Sequence, residues 1–495
     1  MNRATQALRD QISDLKADLA RQIAAVSASE YALRVLELRL EETSTFPVDT
    51  LPAELLAEIF LHALPRKMTI DDLHLGLRWG SVPLILSQIC RRWREVALSV
   101  PLLWVDVALC IVDDCGQRNH NDLSRAVVSA QRLELHATRA GGRLLRLALG
   151  CAKPQVWSDG EPNVDVIPFM EVLRRHSTTV EEISVELGRR EMEQLRQAAS
   201  DLNFLNLRSV SLSLDTSWLG DGQFGMFSDA PALRAVDLGG VNPQCMDLPW
   251  EQVTELVAES CTPDVCCTAL RRASNLRRAE FSMVPIARNP EPRRIVHPVL
   301  SELFIRECRE YEAHILNYFE LPALRSLTLL TTESDDNFFA SLSDFLDQSG
   351  SQLRTLVLGR PWMGISMSPL QGLDLTRLEI REVPHVFAME LFGLLKHLDN
   401  AFLPHLDELE IRLRLHRDRK VIDSVVVYRV GDAILRRNQR SRDGEGTHCP
   451  VHTLRLRFAR DDLPYWLPED AFRDYRTLRQ DGVRVHVGAG GRIIV

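Results

Sequence analysis

The chain has 495 residues, 45% hydrophobic and 26% charged, enough apolar material for two or more packed regions. Its formal net charge of −9 argues against general attraction to nucleic acid or an anionic membrane, and no apolar run approaches the roughly 20 residues that cross a bilayer. The opening MNRATQALRDQISDLKADLA lacks an apolar secretory core, so the ten scattered cysteines are expected as reduced thiols of a cytoplasmic or nuclear protein.

Residues 1–43 carry a heptad pattern. Ile12, Leu19, Val26, Leu33 and Leu40 recur every seventh position, with Leu8, Leu15 and Leu36 in the row three positions on. Gln22 and Ser29 interrupt that second row. Such spacing keeps one stripe of a helix facing another helix. Two occupants fit: a second copy pairing over residues 8–40 as a coiled coil, or the domain that follows in the same chain.

Residues 45–105 read as a small helical module. In TFPVDTLPAELLAEIFLHALP, Asp49 or Thr50 is placed to cap a helix, Pro52 suits its first turn, and Glu54 complements its positive end. Leu51, Leu55, Leu56, Ile59 and Phe60 fall on one side, and Pro65 ends the segment. After a polar connector over 66–80, SVPLILSQICRRWREVALSVPLLW predicts a second helix, capped by Ser81 and stopped by Pro101. Leu86, Ile89, Cys90, Trp93, Val96 and Ala97 occupy one face, with Arg91, Arg92 and Glu95 opposite. Leu102, Leu103 and Trp104 then return to apolar surface. Two short helices cannot bury all these groups between themselves, so the surplus needs the downstream domain or a second protein.

LPAELLAEIF followed by ICRRWREVALSVPLLW resembles the F-box-like motif, with its Leu-Pro start, Ile-Phe pair, Cys-x-x-Trp helix and Pro-x-x-Trp end. Proteins of this kind are common in expanded fungal families. The resemblance implies docking on the Skp adaptor of an SCF-type cullin–RING ubiquitin ligase through Leu51, Pro52, Leu55, Ile59, Phe60, Cys90 and Trp93. It also implies a non-catalytic adaptor without a cofactor. The connector over 66–80 is longer than a compact F-box has. The competing reading packs the same residues on the C-terminal region, and exposure of Leu51, Pro52, Ile59 and Trp93 discriminates the two.

Over 106–495 an apolar-x-x-apolar-x-apolar pattern recurs. Copies start at Leu144, Val180, Leu207, Leu233, Val253, Leu276, Leu300, Leu324, Leu353, Leu375, Leu406 and Val451, most of them 20 to 31 residues apart. Alternation within each copy predicts a short strand with one face buried, and repetition at this period predicts stacked units that share one core. Stretches such as NFFASLSDFLDQSG and FAMELFGLLKHLDN supply helices between strands. The region resembles leucine-rich repeats. Of the Asn or Cys that this family places after each copy, only Cys261 and Cys308 are present, so most turns must satisfy their backbone otherwise. The expected fold is therefore α plus α/β: an N-terminal helix, an all-helical module, and an irregular solenoid of parallel strands with helices. The polar run NQRSRDGEGTHCP reads as a flexible or inserted loop, and VGAGGRIIV as a turn before a last short strand.

In such repeats the third, fifth and seventh positions share the concave face. The seventh reads Arg306, Leu330, Gly359, Arg381, Arg412 and Arg457, with Arg377, Arg414, Arg455, Glu302, Glu379, Glu408 and Glu410 nearby. One reading is a strip of Arg306, Arg381, Arg412 and Arg457 that receives an acidic or phosphorylated segment of an unidentified target protein. The other is a ladder in which each arginine is matched by a glutamate. Cys449-x-x-His452 and Cys110-x4-Cys115 have metal-like spacing without a second pair, so no metal is expected. Cys266 and Cys267 suit a partly buried helix surface. No nucleophile elbow, phosphate loop or zinc-protease motif occurs. The function expected is a substrate-recognition adaptor of a ubiquitin ligase; the alternative is a repeat scaffold whose F-box-like module only caps the solenoid.

Overall fold

The computed structural model describes residues 3–43, 51–64, 82–110, 122–150, 167–187, 189–199, 202–218, 223–283, 294–307, 315–331, 336–359, 370–381, 385–396, 402–413, 420–443, 448–458, 469–489 and 492–493. Two compact units emerge, one of Met1–Leu64 with Val82–Val100, the other built on Pro101–Val495.

The first unit holds four helices among its described residues: α1 (Arg3–Thr43), α2 (Ala53–His62), α3 (Val82–Ile89) and α4 (Arg91–Ser99). Pro52 stands at the N-cap of α2 (φ −52°, ψ 147°), one residue ahead of the expected first turn, and Glu54 lies within that turn. Asp49, Thr50, Ser81 and the 66–80 connector lie outside the described residues.

The single helix expected after Ser81 is two. Cys90 adopts extended backbone (φ −151°, ψ 172°) and its Sγ accepts the Trp93 N–H at 3.4 Å, so the thiol caps α4. The break changes which residues share a face: Leu86 turns inward and Ile89 outward. Leu56, Phe60, Leu86, Val96 and Ala97 are buried, and the Phe60 and Trp93 rings meet at 4.8 Å and 55°. The Arg92 guanidinium donates to the Leu51 carbonyl, tying the entry of α2 to α4.

The second unit contains a fifteen-stranded sheet among its described residues, its strand order following chain order. The strands are β1 (Asp106–Cys110), β2 (Leu145–Gly150), β3 (Val180–Leu187), β4 (Ser209–Trp218) and β5 (Ala235–Val241). Next come β6 (Glu255–Cys261), β7 (Arg278–Met283), β8 (Glu302–Glu307), β9 (Ser326–Thr331) and β10 (Thr355–Gly359). The set ends with β11 (Arg377–Arg381), β12 (Glu408–Leu413), β13 (Thr453–Phe458), β14 (Arg484–Ala489) and β15 (Arg492–Ile493). Neighbours are parallel up to β14, and β15 returns antiparallel. A separate parallel pair joins Ile295–Val296 to Phe319–Glu320.

All twelve copies produce strands. Three strands, β1, β14 and β15, lie outside them, since none begins with the leucine spacing of the rest. Equivalent apolar residues are in register, Leu356 with Leu327 and Leu378, Leu378 with Leu409, Leu409 with Leu454, and all are buried. Parallel neighbours need a crossover, and the crossovers explain the uneven spacing. The short step from Leu233 to Val253 contains only 3-10 turns, Pro243–Cys245 and Trp250–Gln252. Six other steps and the segments flanking the copies contain helices: α5 (Asp122–Arg139) before the first copy, α6 (Ile167–His176), α7 (Arg189–Ala198), α8 (Pro263–Arg272), α9 (Asp336–Ser349), α10 (His385–Lys396) and α11 (Lys420–Arg442) between copies, and α12 (Arg473–Gln480) after the last.

Several expectations change here. The run beginning at Asn438 is not a loop at its start, because Asn438–Arg442 complete α11; residues 444–447 lie outside the described set. Cys266 and Cys267 are buried rather than half-covered. Leu103 and Trp104, expected to end the helical module, belong to the second unit, where both are fully buried.

Turns that lack the Asn or Cys typical of leucine-rich repeats use other polar side chains. His297 Nε2–H donates to Ala273 O at 3.0 Å while its Nδ1 accepts Leu300 N–H at 3.1 Å, and Ser349 Oγ accepts Leu321 N–H at 2.9 Å. Asn438 bonds both backbone groups of Val451 at 2.9 Å. Each is a polar side chain buried because a backbone group needs it.

Trp104 meets His136 edge-on at 5.1 Å, the Arg139 guanidinium lies 4.3 Å from its ring centroid, and His136 Nδ1–H donates to its carbonyl at 3.3 Å. Burial, aided by Arg139 and Arg132, pushes His136 down to about 4. The unfolded chain, with an ordinary histidine, binds this proton first on acidification. Stability is then full above the unfolded pKa and declines as pH falls toward the folded one. Urea denaturation should show a loss of about 2 kcal/mol from this residue between pH 7 and pH 5, absent in His136→Gln. Equal pH slopes for the two proteins would contradict a neutral buried imidazole.

Candidate functional site

Two surfaces carry the candidate residues. On the first unit, Leu55 and Ile59 of α2 are 52% and 50% exposed, and Ile85 and Ile89 of α3 are 53% and 55% exposed. Each pair is four residues apart on its helix, so each forms one outward stripe. Leu98 of α4 adds a further exposed aliphatic group. Isolated surface leucines are ordinary, but this many on such short helices makes the surface a candidate for binding.

The seven expected docking residues separate accordingly. Pro52, Leu55 and Ile59 are exposed; Leu51, Cys90 and Trp93 are half-buried. Phe60 is wholly buried against Trp93 and is a core residue, and Cys90 acts through its cap on α4. Ile85 was missed, and Ile89 was assigned to the wrong face, because the apolar spacing from Leu86 to Ala97 runs unbroken across Cys90.

The second surface is the Arg/Glu face of β11, β12 and β13. Register places Arg377 beside Glu408, Glu379 beside Glu410 and Glu410 beside Arg455, and Arg381 beside Arg412 and Arg412 beside Arg457. Glu379 and Glu410 are 3% and 1% exposed, sealed by arginines. Glu379 accepts from Arg381 at 2.8 Å and pairs with Arg412 at 3.0 Å. Glu410 accepts from Arg412 at 2.9 Å and pairs with Arg457 at 3.2 Å, with Arg377 and Arg455 at 3.7 and 3.9 Å. Arg455 also pairs with Glu408. Burial first, then Arg377 and Arg457, holds Arg455 below the usual guanidinium value.

The cluster matches the ladder reading in its wiring, with two carboxylates enclosed. Five arginines (377, 381, 412, 455, 457) still face three glutamates (379, 408, 410), leaving two positive charges, and Arg457 is 55% exposed. Arg306 does not join it. Leu330 and Gly359 stand between Arg306 and Arg381 in register, roughly 14 Å across three strand spacings. The Arg306 guanidinium lies 5.6 Å from the Phe304 ring centroid instead. Arg414 lies outside the described residues.

Cys449 Sγ sits 3.7 Å from His405 Nδ1, whereas His452 pairs with Asp407. No group of three metal-ligating side chains occurs among the described residues, and Cys115 lies outside them. No helix among those residues is long and apolar enough to cross a membrane.

No family model matches the sequence, and no curated protein matches it.

Proposed function

We propose that the first unit is an F-box-like module that docks a Skp-type adaptor, and that the second is a leucine-rich-repeat-like solenoid that holds a target protein. The chain would then be the substrate-recognition subunit of an SCF-type cullin–RING ubiquitin ligase. The observation that carries this reading is the exposure of Leu55, Ile59, Ile85 and Ile89 on helices whose own core is complete with Leu56, Phe60, Leu86 and Val96. A module devoted to internal packing would keep these four aliphatic groups covered.

The mechanism is proximity. Holding a target near a ubiquitin-charged partner raises the effective concentration of its lysines, and no side chain of this chain enters the transfer. The target surface is the β11–β13 face, where the surplus positive charge suits an acidic or phosphorylated segment and Arg381, Arg412 and Arg457, each paired with Glu379 or Glu410 on its inner side, remain 33%, 36% and 55% exposed.

Leu55→Asp combined with Ile59→Asp should weaken capture of a Skp-type adaptor by the full chain at least about a hundredfold, since two anchors of the apolar face become charged. The same variant should melt within about 0.5 kcal/mol of wild type, as expected for exposed positions. Undiminished capture by a folded double variant would sink the docking reading.

A further inference from the structure

α1 is 41 residues long, about 60 Å, and most of its apolar residues whose side chains are described are uncovered. Leu8, Ile12, Leu15, Leu19, Val26, Leu33 and Leu36 are each 51–69% exposed. A lone helix with such a stripe needs a partner. We propose that the partner is a second copy of α1 packed antiparallel, centred near residue 24.

Charge selects this arrangement. With the leucine-rich rows as the seam, the flanking row after Leu8, Leu15 and their equivalents reads Arg9, Lys16, Ile23, Glu30, Glu37. In an antiparallel pair this row faces itself in reverse. Arg9 meets Glu37 of the second copy, Lys16 meets Glu30, and Ile23 meets Ile23, giving four opposite-charge pairs by symmetry. In a parallel pair the same row faces Gln11, Asp18, Ala25 and Ala32, and no opposite-charge pair forms.

The seam agrees. The register that aligns those charges stacks Ile12 on Leu36, Leu19 on Ser29, Val26 on Gln22 and Leu15 on Leu33. The two polar members are already bonded within their own helix: Ser29 Oγ donates to Ala25 O at 3.0 Å, and Gln22 Nε2 to Asp18 at 3.4 Å. They can therefore enter the seam with those bonds intact.

A third observation is a shallow depression on α1 lined by Val26, Ser29, Glu30 and Leu33, with Ala25 at its side. These four have the i, i+3, i+4, i+7 spacing of the hole that receives a knob in coiled coils. In the antiparallel register the knob opposite is Leu19 of the second copy. Paired in this way, the two C-terminal ends of α1 lie at opposite ends of the rod, so a dimer would present two modules and two target surfaces.

The test uses the full chain at micromolar concentration. Sedimentation equilibrium should report a dimer. With a short bismaleimide, Ala25→Cys should give a 25-to-25 cross-link mapped by mass spectrometry. Leu8→Cys should give no 8-to-8 link, because its own equivalent lies roughly 48 Å away. Arg9→Glu with Lys16→Glu should raise the dimer dissociation constant at least about thirtyfold, and adding Glu30→Lys with Glu37→Arg should restore it. A monomeric chain, an 8-to-8 link without the 25-to-25 link, or indifference to charge reversal would each overturn the proposal.

Discussion

Glu410→Ala should destabilise the second unit by about 3–5 kcal/mol, as removal of one partner from a buried ion network leaves uncompensated charge. Glu410 is 1% exposed and lies within 4.0 Å of Arg377, Arg412, Arg455 and Arg457. Without it the surplus on this face rises from two positive charges to three, and the guanidiniums that converge on the enclosed site lose their shared acceptor. Glu410→Gln retains the shape but not the charge and should recover less than half of the loss. Arg457→Ala should cost under about 1 kcal/mol, because its side chain is 55% exposed and solvent screens the pair. Urea denaturation of the three variants orders these effects. A loss below about 1 kcal/mol for Glu410→Ala would show that the enclosed carboxylates do not hold the strands together.

Arg437→Ala should cost a comparable amount, about 3–5 kcal/mol, by a different route. Arg437 is 4% exposed, and burial pushes its guanidinium down to about 10, still charged at neutral pH. It donates to the carbonyls of Phe402, Leu403, Pro404 and Cys449, at 3.3, 2.6, 3.4 and 3.3 Å. Leu403 has φ +49°, a left-handed conformation that a branched side chain adopts only where neighbours fix it. One planar fork serves several acceptors, which a lysine ammonium cannot reach together, so Arg437→Lys should lose at least half as much as Arg437→Ala. Calorimetric unfolding gives the totals, and amide exchange over 402–406 and 448–451 should quicken in both variants. Wild-type behaviour of Arg437→Lys would contradict this account of the turn.

The sheet was legible because strand alternation and a repeating leucine position leave a period that survives irregular crossovers. Leu324, Leu353, Leu375 and Leu406 announce their strands without knowledge of neighbours. The heptads of α1 were legible for the same reason. What escaped depends on relations between segments. Glu379 and Glu410 look like surface residues, and only strand register shows that arginines from three strands enclose them. Asn438 opens a run that reads as polar loop and Arg437 immediately precedes it, and both are buried because turns before β12 and β13 need their donors. Cys90 is a weak cap by residue type, so unbroken apolar spacing hides its break in the helix, and with it the outward position of Ile89. Phe60, which the resemblance to an F-box motif places among the docking residues, is buried against Trp93, and spacing within one helix does not show that.

The most direct measurement is calorimetric titration of a purified Skp-type adaptor into the full chain. Docking predicts one adaptor per chain, a Kd below about 1 µM, and a negative heat-capacity change from burial of the α2 and α3 aliphatic groups. The variant carrying Asp at positions 55 and 59 should give no saturable heat. A wild-type chain that shows no binding at tens of micromolar adaptor would contradict the assignment of this face to the ligase.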